Sequence, residues 1–158
     1  LLITPEAASR AEFIIGSVHQ MAVMKNPDPP MEQIAREHRF LLESMLRRGI
    51  RIFAHPFRVW EALGKEIPVD EMRQTASLLK NYGAAAEMNF HNRPPNRRFM
   101  EICLDMGVPI SLGSDSHNLC DIGEFWPHLR LLEELGAGSD LEKVLVPNLD
   151  GASLPIGS

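Results

Sequence analysis

Asp115 and His117 stand two positions apart, just past the apolar run Pro109-Ile110-Ser111-Leu112-Gly113. A carboxylate and an imidazole placed after a β-prone run that breaks at glycine are the side chains of a metal or acid–base site at a strand end. With the backbone extended through Ser116, both project to one side. The same types recur after three earlier apolar runs. His19 follows Phe13-Ile14-Ile15-Gly16, and His55 follows Ile50-Arg51-Ile52-Phe53-Ala54. Glu87, Asn89 and His91 lie in and after Ala84-Ala85-Ala86. Neutral imidazole and carboxylate are the ligands of Zn²⁺, Mn²⁺ and Fe²⁺. Each group also has a plainer role, as a hydrogen-bonding loop residue, an Asx turn or an ion pair. Their coincidence at successive strand ends is what points to a metal centre.

The elements that position these groups follow from periodicity. Apolar or small residues at Met31, Ile34, Ala35, His38, Leu41, Leu42, Met45 and Leu46 predict a helix that Gly49 ends. A second helix is expected over Val69 to Tyr82, with Pro68 before it, Asp70 and Glu71 in its first turn and Gly83 after it. Asn96 is placed to cap a third, with Phe99, Ile102, Cys103 and Met106 facing inward and Gly107 closing it. A fourth runs from about Phe125 to Leu135. His38 falls on an inward helical position and reads as a core histidine, and His128 as a surface or packing residue. The segment 91–95 is a loop, and 146–158 an irregular tail. Four strand–loop–helix units predict an α/β fold with a parallel sheet, whose ligand-bearing edge is the C-terminal one.

Composition bounds the function. The 158 residues are 44% hydrophobic and 23% charged, which suits a single globular domain. A net charge of −5 argues against nucleic acid as the main partner, and no apolar run reaches the length that spans a bilayer. A cytoplasmic location is the expectation. Cys103 and Cys120 fit no CxxC spacing, and Cys103 reads as a buried thiol. The start at Leu1, without a charged segment and a long apolar run after it, is expected to be a cut inside a longer protein and not a signal peptide.

The set Gly16-Ser17-Val18-His19, Ala54-His55-Pro56-Phe57-Arg58, Glu87-Met88-Asn89 and Gly113-Ser114-Asp115-Ser116-His117 resembles, in this order, the PHP (polymerase and histidinol phosphatase) superfamily. The resemblance covers about residues 12 to 125. It implies part of a distorted barrel of seven β/α units, here residues 1–145, holding two or three divalent ions (Zn, Mn or Fe) and hydrolysing a phosphoester through a metal-activated water. By position it implies that His19 and His55 ligate one metal, Asp115 a second and His117 a third. Glu87, Asn89 and His91 then lie at the site's edge, and Arg58 and Arg93 are placed to meet the phosphate of a small phosphorylated substrate. Neither Ser17 nor Ser114 is needed as a nucleophile. The family's opening His-x-His strand and bridging Glu have no counterpart before His19, so an N-terminal half or a complementary chain is expected to supply them. Two alternatives are a non-catalytic PHP-like domain with an assembly or regulatory role and an amidohydrolase-type metallohydrolase.

Overall fold

The computed structural model describes residues 4–91 and 93–146; Asn92 of the expected 91–95 loop and positions 147–158 of the expected tail lie outside them. In chain order the elements are α1 (Pro5–Ala8), β1 (Ile15–Gly16), a 3₁₀ turn (Ala22–Lys25), α2 (Met31–Leu46), β2 (Ile52–Phe53), α3 (Arg58–Ala62), α4 (Val69–Tyr82), β3 (Ala85–Asn89), α5 (Arg97–Met106), β4 (Ile110–Gly113), a second 3₁₀ turn (Leu119–Asp121), α6 (Trp126–Glu134) and α7 (Leu141–Val144).

All strand pairs are parallel, in the spatial order β1-β2-β3-β4. The expected parallel α/β architecture is therefore present. Each strand lies beside its predecessor in sequence, so the described sheet has no reversal of strand order. Beyond β4, Leu145 makes a parallel bridge to Ile110, and the Val146 N–H donates to the Ile110 carbonyl at 2.9 Å.

The helices form where periodicity and caps agree. α2 buries Ile34, His38, Leu42 and Leu46, and α4 buries Glu71, Met72, Thr75, Ala76 and Leu79. Asn96 accepts the Phe99 N–H at 3.0 Å, the capping bond its position predicts. Gly83 ends α4 at φ 64°, a left-handed turn that costs glycine little. The core runs from Ile14, Leu42 and Phe53 through Trp60 and Leu79 to Phe99, Ile102 and Ile110. β3 is buried on both faces, at Ala85, Ala86, Glu87 and Met88. β1 lies at the sheet's edge, where Ile15 is exposed although it belongs to the apolar run.

Three expectations are corrected here. β2 ends at Phe53, although the apolar run continues to Ala54 and up to His55. His55 has φ 33° and Asp115 φ 46°, so the chain is bent at both ligand-type residues and is not extended from Asp115 to His117. Glu87 and Asn89 stand within β3, not beyond its end. The short helix α3 was not foreseen at all. Among the described residues, no helix is long and apolar enough to cross a membrane.

Candidate metal centre

The C-terminal ends of the four strands carry two groups of histidines. At the ends of β1 and β2, the rings of His19 and His55 meet edge to face with centroids 4.9 Å apart. At the ends of β3 and β4, His91 and His117 stack with centroids 4.1 Å apart. The potential ligand atoms of His91, Asp115 and His117 all lie within 4.8 Å of one another. His91, expected only at the site's edge, thus belongs to this cluster. Asp115 and His117, expected at different ions, are close enough to share one.

Local hydrogen bonds orient these groups. His117 Nδ1 donates to the Asp115 carbonyl at 2.7 Å, which leaves Nε2 as the lone-pair nitrogen. The His91 N–H donates to Asn89 Oδ1 at 2.8 Å, and Asn89 Nδ2 donates to Glu87 Oε2 at 3.2 Å. The same Oε2 accepts the His55 N–H at 2.9 Å. Among the described residues Glu87 pairs with no arginine; it joins the ends of β2 and β3. Ser116 donates to Ser114 Oγ at 2.8 Å, and that bond occupies the serine beside Asp115.

The donor set suits a first-row divalent ion, being imidazole and carboxylate without thiolate. His55 Nδ1 is buried with no hydrogen-bond partner among the described residues. The buried Nδ1 atoms of His38 and His128 are likewise without a partner, and His55 differs from them in lying on the wall of the cavity beside the cluster. Burial lowers the His55 pKa below the ordinary histidine range; the Glu87 carboxylate opposes this, while His19 and Arg58 add to it. The neutral, ligating form is the favoured one.

A pH dependence follows for the metal-free protein. The unfolded chain takes up a proton at this position near pH 6.5, and the folded chain does so only at lower pH. Stability is thus held above about pH 6.5 and lost as pH falls through the window between the two values. Urea unfolding of the chelator-treated protein between pH 7 and 5 should show this decline, and His55→Gln should make it shallower. An unchanged slope would show that His55 titrates alike in both states.

Beside the cluster lies a cavity of about 260 Å³ whose wall includes His55, Arg58, Glu87, Asn89, Arg93 and Asp115. Both arginines line it, and neither makes an ion pair among the described residues. Its apolar side is Phe57, Ala62, Pro94, Pro95, Phe99 and Met100, and Glu61 adds one acid. Glu61 was missed in the sequence because it sits on α3. Cys103 is buried, and burial pushes its thiol far above the ordinary range; Cys120 is exposed. Neither cysteine lines the cavity.

Fold and site together define a parallel α/β protein with a His/Asp cluster at the C-terminal edge of its sheet. No protein-family model matches the chain. Similar curated proteins carry the name "probable phosphatase". One from Caldanaerobacter subterraneus subsp. tengcongensis is 26% identical over 140 residues, covering 84% of this chain and 50% of that protein. One from Thermoanaerobacter sp. is 24% identical over 140 residues, covering 84% and 52%. One from Pectobacterium atrosepticum is 32% identical over 108 residues, covering 63% and 41%. The chain spans about half the length of the curated relatives it matches.

Proposed function

We propose that this chain is the C-terminal part of a metal-dependent phosphoesterase of PHP type, and that its sheet is a segment of the family's barrel. The observation that carries the reading is the His91–Asp115–His117 cluster beside a cavity rimmed by Arg58 and Arg93. The names of the relatives support hydrolysis of a phosphoester. The unreversed order of the parallel strands is compatible with a barrel segment.

In this reading His19 and His55 hold one ion, and Asp115 and His117, with His91, hold the rest. Bound divalent ions supply a hydroxide nucleophile near neutral pH and offset the phosphate charge. The chain's own residues do the remainder. Arg58 and Arg93 grip the phosphoryl oxygens through their planar forks. Phe57, Pro94, Pro95 and Phe99 give the alcohol portion an apolar wall. The cavity's size suits a small substrate, such as a sugar phosphate, a nucleotide or histidinol phosphate.

The test is made on the protein at the full length its gene encodes. Elemental analysis should find at least one equivalent of Zn, Mn or Fe. Hydrolysis of p-nitrophenyl phosphate should stop on chelation and return with Mn²⁺ or Zn²⁺. Less than one equivalent of metal, with no metal-dependent hydrolysis, would overturn the reading.

A further inference from the structure

Two residues other than glycine have a positive φ among the described residues, His55 and Asp115, and both are ligand-type groups at strand ends. Such bends persist where the surroundings over-determine them. Here the surroundings can be named. His38 is fully buried on α2, and its Nε2 lies 2.8 Å from the carbonyl oxygen of Pro56, the residue after the first bend. His128 is buried on α6, and its Nε2 lies 3.0 Å from the carbonyl oxygen of Gly113, two residues before the second. A carbonyl can only accept, so Nε2 of each histidine is the donor. Glu87, also buried, accepts the N–H of His55 itself at 2.9 Å.

We infer that His38, His128 and Glu87 are positioning residues: buried side chains that fix the two bends and so aim His55 and Asp115. The inference rests on the metal-centre reading above. None of the three needs to touch an ion. His38 is itself braced. It stacks on Phe57 with centroids 5.5 Å apart; its buried Nδ1, 3.5 Å from Glu71 Oε1, makes no hydrogen bond among the described residues. Glu71, buried beneath α2, also pairs with Arg39. His128 is held edge to face between Phe90 and Phe125, at 4.8 and 5.4 Å. These aromatic contacts fix the ring planes, so each N–H has one direction. Partners that bond a ligand residue, as Glu87 does through the His55 N–H, set its orientation, and their loss typically weakens metal binding about 10- to 100-fold; His38 and His128 act one step further out, through the carbonyls of Pro56 and Gly113.

Cobalt(II) is the probe, added to the full-length protein after chelation, with affinity read by competition and geometry by the visible absorption bands. His38→Phe and His128→Phe keep a ring and remove the donor; Glu87→Leu removes the acceptor. Each should bind Co²⁺ about 10- to 100-fold more weakly with displaced bands. His38→Gln, His128→Gln and Glu87→Gln keep a group able to make the bond and should recover most of the affinity and the native bands. Melting in chelator separates a general loss of stability from this effect. Where a Phe variant fails to fold, Asn replaces it, because its amide falls at the place of Nδ1 and cannot reach the carbonyl. Phe, Leu or Asn variants that bind Co²⁺ with native affinity and bands would overturn the inference and leave the metal centre standing. A wild-type protein that binds no Co²⁺ would overturn both.

Discussion

On the metal-centre reading proposed above, Asp115→Asn in the full-length protein is expected to lower metal-dependent hydrolysis of p-nitrophenyl phosphate by roughly a thousandfold while the protein stays folded. The choice of Asn matters. Asp115 sits at φ 46°, a conformation that Asn tolerates nearly as well as Asp and that alanine does not. The substitution therefore keeps the bend, the volume and the carbonyl that accepts from His117 Nδ1. It removes only the negative charge from a cluster whose other members, His91 and His117, are neutral donors when they ligate. Charge stabilisation by a metal centre is worth several kcal/mol, and about 4 kcal/mol corresponds to three decades of rate. Asp115→Ala should be worse, since it adds backbone strain to lost charge. The comparison of kcat, metal content and melting temperature for the two variants checks this. An Asn variant with near-native kcat would remove Asp115 from the ligand set.

The helices were legible because two signals coincided at each. α4 has its proline before Val69 and its glycine after Tyr82, and the structure begins and ends it there. Asn96 caps α5 and Gly107 closes it, around the inward Phe99, Ile102 and Cys103. The strands were legible in kind and order but not in length. β1 and β2 pair over two residues each, although their apolar runs are longer. The bend at His55, followed by a proline with no N–H, stops the β2 ladder early. α3 escaped because five residues are too few to display a period.

The candidate site was legible as a set of residues and illegible as a set of contacts. Each strand end displayed its ligand-type side chain, since such groups interrupt an apolar run. What the sequence conceals is partnership through the backbone. His38 was legible as a core histidine, but its partner is a main-chain carbonyl eighteen positions away. A carbonyl belongs to every residue and leaves no trace in sequence. Glu71 read as an acid favouring a helix start, and the fold instead buries it against Arg39 and His38. The stacking of His91 on His117 depends on β3 and β4 being neighbours, a tertiary fact.

The largest expected effect on stability comes from a single methyl group. Gly113 lies directly opposite Asn89 in the β3–β4 ladder. A Cβ built there would overlap Glu87 Oε1 and come within 2.6 Å of its Cδ and 2.8 Å of its Cγ. Glu87 cannot easily yield, because it is buried and its carboxylate is tied to the His55 N–H and to Asn89. Overpacking of this kind costs about 1–3 kcal/mol, and breaking the carboxylate's hydrogen bond adds about 1.5–3 kcal/mol. Gly113→Ala should therefore lose about 3 kcal/mol or more, a fall in melting temperature of roughly 6–12 °C for a chain of this size. The cause can be isolated by a double-mutant cycle. With Glu87→Ala the obstructing carboxylate is gone, and adding Gly113→Ala should then change stability by less than about 0.5 kcal/mol. A penalty of equal size on both backgrounds would place the cost in the strand itself and not in the contact with Glu87. The non-additive outcome would tie the glycine of the fourth strand end to the carboxylate that holds the second, so that one methyl group disturbs both ends of the site.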